Sequence, residues 1–422
     1  QSQLSPASSF KMNSVTRPVQ FPSPPADAES RERALYATLD RLPAGLFQFD
    51  PRMADGWLSD RYFVRTARTV ELAGLNPTVT MQVFTREHGV VAGVYEALRM
   101  LQTQLASRPR EYTIADLEIS TLLDGDSVQP WEPVMHIKGP YLAFAHLETT
   151  YLGVLADRTL IASNVRRAIT AANGKDVIFM AARHADWRRQ VADGYAAIVG
   201  GAAAVSSDAN GAWWGERGAG TMPHAMISAF GGDTVAATLA FAKYLRTQEP
   251  EVNAVSAVVD YDNNVIETSL AVAREMRAEF GTGSLHSVRV DTSGQLVDMS
   301  LQGREAEYPG VKLAGVSLPL VRLLRAALDD AGFPEIGIVA SGGFTPRRIS
   351  EFEEAGAPVV AYGIGSSLLG HNRGPELDDL LTSTDYTADI VMVDGKPESK
   401  VGREYRPNPR HVHVDPQRLA SS

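Results

Sequence analysis

Between Asp176 and Ile364 the chain passes repeatedly from a short apolar run to an amphipathic stretch and back, and this alternation constrains its fold more than any other feature. The runs DVIFMAA, HAMISAF, AVSAVVDYD, SVRVD, GIVASG and PVVAYGIG have strand length. Between them, DTVAATLAFAKYL and LPLVRLLRAALDDAG carry apolar residues at helical spacing. Strands joined through helices lie parallel, and this many units within residues 149–383 favour a closed or nearly closed barrel over an open doubly wound sheet. The expected fold class is α/β, with a closed or nearly closed α/β barrel over residues 149–383.

The texture before residue 149 is different. SRERALYATLDRL, RYFVRTARTVELAG and VYEALRMLQTQLAS have helical spacing, and TVTMQVFTREHGVVAG alternates like a strand. LLDGDSVQPWEPVMHIKGPYLAFAHL sets turn residues between short apolar runs, which predicts small antiparallel strands. Residues 26–148 are expected to form an α+β sandwich domain. It is completed by 384–410, where DYTADIVMVDGKPESKVGREYRPNPR reads as a turn-linked strand pair. Residues 1–25 are rich in Ser, Pro and Gln and are expected to be a disordered leader, with the part before Met12 expected to be a cloning remnant. Residues 411–422 read as a plain tail whose two histidines need no metal.

Composition excludes several functions. A net charge of −10 and a pI near 5.5 argue against nucleic-acid and anionic-membrane binding, so any anionic substrate must be caught by a local cluster. The absence of cysteine excludes disulfides, thiolate catalysis and cysteine zinc sites. No apolar run approaches the roughly 18–20 residues of a membrane helix, and cytoplasmic location is the expectation.

The candidate chemistry lies at two glycine loops. Ile336–Ala340 reads as a strand, followed by a turn at Ser341, Gly342 and Gly343. Thr345 is placed as the N-cap and Pro346 as the first residue of a helix that ends at Gly356. The next strand, Val359–Tyr362, delivers Gly363, Gly365, Ser366 and Ser367 to the same end of the sheet, where parallel barrels bind ligands. Bare glycine amides and a helix N-terminus suit a phosphate. Arg347 and Arg348 in the first helical turn oppose the helix dipole unless an anion lies nearby. One such loop needs no ligand to explain it; two on adjacent strands point to a phosphate site.

Together SGGFTPRRISEFEEAGAPVVAYGIGSSL, SVRVDTSG, GAGTMPHAMI, VADGYAAIVGG, SDRYF and TADIVMVDGKPESKVGREYRPNP resemble the nicotinate phosphoribosyltransferases, of the type II phosphoribosyltransferase family, in order from about Asp55 to Pro409. The resemblance implies a sandwich domain and an irregular barrel in a homodimer whose active sites lie at the subunit interface. The implied reaction joins nicotinate to phosphoribosyl pyrophosphate, with Mg²⁺ and with ATP as co-substrate. It places the 5′-phosphate on Ser341 to Gly343 and Gly363 to Ser366, ribose hydroxyls on Asp291 with Arg289 nearby, and the ATP-phosphorylated histidine at His224. Arg183 and His184 would meet the nicotinate carboxylate, and Tyr62 or Phe63 would stack on the pyridine ring. His224, Asp291 and Arg183 are the expected catalytic residues.

Two departures accompany the likeness. DTSGQ stands where many members carry a compact Asp-Ser-Gly-Asp arrangement, which removes a second acidic position available to metal or diphosphate. Ala182 and Arg183 stand where paired arginines are common, so either His184 substitutes or the pairing is shifted by one. The rival readings are a nicotinamide or quinolinate phosphoribosyltransferase and a phosphate-binding barrel without catalysis. A barrel isomerase or aldolase would want a strand-end lysine, and Lys175 and Lys312 lie elsewhere.

Overall fold

The structure, a computed structural model, describes residues 20–107, 111–252, 254–371 and 380–421. Before residue 149 run the strands Thr78–Thr85 (β1), Gly89–Val90 (β2), Glu118–Thr121 (β3), Ser127–Val128 (β4) and Pro133–Pro140 (β5). Then come Asp176–Phe179 (β6), Ala204–Val205 (β7), Ser256–Val258 (β8), Ser287–Val290 (β9), Gly337–Ala340 (β10) and Ala361–Ile364 (β11). Tyr386–Val393 (β12), Lys396–Pro397 (β13) and Val412–Val414 (β14) follow.

An antiparallel sheet has the order β13-β12-β1-β5-β3-β14, while β2 and β4 form a separate short pair. Alternation in β1 decides its two faces. Val79, Met81 and Val83 enter the main apolar core, where each buried side chain contributes about 1.5–3 kcal/mol. The opposite face is covered by the chain beyond β13: the backbone N–H of Arg406 donates to Gln82 Oε1 (2.8 Å), and the Arg403 guanidinium lies over Trp131 (4.7 Å). Helix Glu148–Ala171 then ties sheet to barrel. Its buried Arg158 donates to Glu96 (3.0 Å) and lies 3.5 Å from Asp193.

Two expectations for the chain ends are corrected. Residues 411–421 are no plain tail, because Val412 and Val414 are buried as β14 pairs with β3, and helix Pro416–Ser421 follows. His411 is built into this end of the sheet, its Nε2 donating to the Pro133 carbonyl at 2.8 Å. Residues 1–19 of the expected disordered leader lie outside the described residues. Its last part is packed, since Phe21 sits against Trp214 (4.8 Å) and Tyr195 (6.0 Å).

The second sheet is parallel, with the order β7-β6-β11-β10-β9-β8. Each neighbour is next in sequence, and β11 returns to pair with β6, so the sheet curls as a barrel does and stays open between β7 and β8. Alternate residues face opposite sides. Val177, Phe179, Val288, Val290, Ile338, Ala340, Tyr362 and Ile364 pack outward in the main core, whereas Ile178, Val339 and Ala361 form a small inner cluster with Met180 and Ala204. The next inward positions toward the C-terminal ends are Met180, Ser206, Asp291, Ser341 and Gly363.

HAMISAF, expected as a strand, is instead the short helix His224–Ala229 in the gap beside β8. Its burial does not alternate. Met222 and Ile227 pack on Ala237 and Val258, and Gly231 and Gly232, both at positive φ, end the turn. No helix among the described residues is long and apolar enough to cross a membrane.

Candidate active site

A cavity of about 930 Å³ opens at the C-terminal ends of the parallel strands. The period-two geometry of the strands explains its lining, because the inward positions named above all reach it. Of the residues singled out from sequence, Arg183, His184, His224, Arg289 and Asp291 line it, and so do both glycine loops from Ser341 to Gly343 and from Gly363 to Ser366.

The first loop is built as its sequence requires. Thr345 caps helix Pro346–Glu354, accepting from the Arg348 N–H, with Pro346 in the first turn. Gly342 (φ +87) and Gly343 (φ +70) occupy backbone space that L side chains rarely adopt. A Cβ on Gly342 would also lie 3.1 Å from Asp291 Oδ1. Among the described residues, no acceptor serves the backbone N–H groups of Gly342, Gly343, Phe344 or Thr345, and all four residues line the cavity. The Ser341 hydroxyl donates to Asp291 Oδ1 (2.9 Å), so its proton is engaged within the protein.

Arg347 and Arg348 do not behave as expected. Arg347 pairs with Glu351 at the surface (3.3 Å). Arg348 turns to the protein, donating to the carbonyls of Gly342 (3.0 Å), Gly343 (3.3 Å) and Val316 (2.6 Å). Three carbonyl partners satisfy the guanidinium as an anion would, which removes the reason to place it in a ligand site.

In the second loop the glycines make room for neighbours. A Cβ on Gly363 would stand 2.7 Å from Met180 Sδ, and one on Gly365 2.7 Å from His184 Cε1. Both approaches are closer than side-chain carbons tolerate. His184 Nδ1 is buried without a partner, and burial, then Arg183 and His371, pushes its pKa down. Arg183 follows β6 and is exposed at the cavity wall.

The charged centre combines three elements. His224 Nε2 donates to Asp260 Oδ1 (3.1 Å), and Asp260 is nearly inaccessible. That hydrogen bond raises the imidazole pKa against the opposing effect of burial, and the charges of Asp260 and Asp291 add to the rise. Arg289 Nη1 lies 4.0 Å from Met180 Sδ, and its Nε is buried without a partner. Burial pushes the guanidinium pKa down while Asp291 and Asp260 oppose that. The arrangement presents two arginines, a carboxylate, an oriented imidazole and free amides to one cavity, which suits an anionic substrate carrying phosphate.

Tyr62 and Phe63 are not brought to this cavity. They lie on helix Arg61–Leu72 with rings 4.4 Å apart, and Tyr62 is 60% exposed. Sequence reasoning missed Asp260 and Met180. Asp260 is two residues beyond β8 on the parity of Val258, as Asp291 is just beyond β9 on the parity of Arg289, so strand parity was the signal that could have found it.

Comparison with known proteins finds relatives in sequence and in fold. Residues 60–158 match the family model described as quinolinate phosphoribosyl transferase, N-terminal domain. The chain is 27% identical over 373 residues to a nicotinate phosphoribosyltransferase of Mycobacterium tuberculosis strain H37Rv, covering 82% of this chain and 74% of that protein. It superposes on a nicotinate-nucleotide pyrophosphorylase from Pyrococcus furiosus with a TM-score of 0.67 and 26% identity, covering 87% of this chain and 85% of that one. Human nicotinic acid phosphoribosyltransferase shares the fold, with a TM-score of 0.56, 18% identity and coverage of 81% of this chain and 75% of that one.

Proposed function

We propose that this chain, whose fold is that of the type II phosphoribosyltransferases and whose relatives include nicotinate phosphoribosyltransferases, joins nicotinate to phosphoribosyl pyrophosphate in NAD biosynthesis, releasing pyrophosphate. The observation that carries the reading is the pair of glycine loops that line the same cavity as Arg183 and Arg289, the first of them with four backbone amides left without an acceptor.

The pyridine nitrogen attacks ribose C1 as pyrophosphate departs, so catalysis rests on positioning and charge. The 5′-phosphate takes the amides of Gly342 and Gly343 together with the Gly363 to Ser366 loop. Asp291, held by the Ser341 hydroxyl, accepts from ribose hydroxyls and faces the developing positive charge. The nicotinate carboxylate is met by Arg183 and His184, and in a homodimer the Tyr62 and Phe63 segment of the second copy supplies the stacking ring.

Mg²⁺ fits as a companion of the pyrophosphate. Such ions are commonly held by one or two carboxylates plus substrate phosphates, Asp291 is the carboxylate at hand, and among the described residues no group of three acidic or histidine side chains is set to hold a metal. When bound, the ion neutralises the leaving group. ATP coupling belongs to the same proposal. With Nε2 committed to Asp260, Nδ1 of His224 is the nitrogen left to accept a phosphoryl group.

Quinolinate is the second reading, and the family model that matches residues 60–158 favours it. It demands cations for two carboxylates beside those for the donor's phosphates, and the arginines lining the cavity are Arg183 and Arg289. Product analysis with nicotinate, nicotinamide and quinolinate, each with phosphoribosyl pyrophosphate and Mg²⁺ and with or without ATP, decides the matter. A mononucleotide from nicotinate alone is the expected result; release of carbon dioxide from quinolinate would replace the assignment.

A further inference from the structure

We infer that Arg348 is a positioning residue for phosphate binding: it never touches the ligand but turns the peptide groups of the first glycine loop so that their N–H ends face the cavity. This rests on the reading that the cavity binds phosphoribosyl pyrophosphate. In a trans peptide, C=O and N–H point in opposite directions. Arg348 Nη1 holds the carbonyls of Gly342 (3.0 Å) and Gly343 (3.3 Å). The amides paired with those carbonyls are the N–H groups of Gly343 and Phe344, two of the four left without an acceptor at the cavity wall.

With φ of +87° and +70°, Gly342 and Gly343 have no side chain to restrict rotation of these peptide planes. A second element must fix them, and the guanidinium does so. Its own position is over-determined: Nη2 donates to the Val316 carbonyl (2.6 Å) and the group lies over the Phe344 ring (4.3 Å). Val316 adjoins Gly315, whose N–H donates to Leu296 (2.8 Å) and whose Cα faces Gly294 in the loop that follows Asp291. Arg348 thereby ties the phosphate loop to the loop carrying the ribose carboxylate. A lysine supplies charge but not the planar fork that spans three carbonyls.

The test uses Arg348→Met and Arg348→Lys, with Arg347→Met as a control that removes the neighbouring charge from an exposed pair. In steady-state assays, Arg348→Met is expected to raise the KM for phosphoribosyl pyrophosphate by about tenfold or more, with kcat at saturating donor and the KM for nicotinate little changed. Arg348→Lys should fall between, and Arg347→Met should match the parent chain. Titration calorimetry with ribose 5-phosphate reads the same loss without turnover, so a wrong assignment of the reaction and a wrong role for Arg348 give different results. An unaltered donor KM and ribose 5-phosphate affinity in Arg348→Met, or equal losses in the Arg347→Met control, overturns the inference. Should Arg348→Met fail to fold, Arg348→Lys decides, and a donor KM equal to that of the parent chain overturns it.

Discussion

Nε2 of His224 and Oδ1 of Asp260 are 3.1 Å apart, the imidazole donating to a carboxylate that solvent scarcely reaches. The bond fixes the tautomer and leaves Nδ1 free, and it holds the histidine pKa above the usual 6.5.

Asp260→Asn is therefore expected to lower the titration midpoint of His224, measured from its ring protons by NMR. Because the folded value is raised, the pair's contribution to stability is complete below the ordinary imidazole pKa and fades as pH rises through the folded value. The variant should lose that pH dependence; an unmoved midpoint contradicts the pairing.

Replacing His224 with alanine should abolish stimulation by ATP while slow transfer from phosphoribosyl pyrophosphate persists, because the donor loops do not involve the imidazole. Product formation with and without ATP measures this. Coupling that survives intact removes the phosphohistidine from the proposal.

Helix Gln190–Gly200 lies so close to the short helix Asp208–Gly211 that a Cβ on Gly194 would come within 2.2 Å of the Asn210 carbonyl oxygen. Gly194→Ala must push backbone against backbone, at a cost of about 1–3 kcal/mol or more. A clear fall in the thermal midpoint is the expected outcome, and parent-like melting is the opposing one.

Glu148 begins helix Glu148–Ala171, where the dipole favours a carboxylate, yet burial, with Asp389 adding repulsion, pushes its pKa up to about 8. The folded state holds a proton that the unfolded chain has released, so this group makes stability fall as pH rises from its ordinary 4.5 through about 8. Glu148→Gln should flatten that decline in urea midpoints taken at several pH values across this window. A slope equal to that of the parent chain refutes the assignment.

Much of this site was legible because it depends on near neighbours. The Thr345 cap, Pro346 and the Gly356 terminus act within one helix, and Ser341 to Gly343 follow directly on their strand. HAMISAF misled because Met222 and Ile227 are buried by packing on Ala237 and Val258, a contact no local periodicity encodes. The alternation of Val412 and Val414 was visible in HVHV, but its partner β3 lies far back in the chain, and without it the segment read as a tail.

Local sequence thus determined most of the strands and helices, that the glycine turns gather at one barrel end, and which anionic chemistry those turns suit. Tertiary structure decided which way the charges point. Arg348 and Arg347 are adjacent and chemically alike, yet one is drawn inward by three carbonyls and the other rests on the surface. Asp260 meets His224 across thirty-six residues. A side chain's partners are set by distances in space, and those exist only once the barrel has brought remote strand ends together.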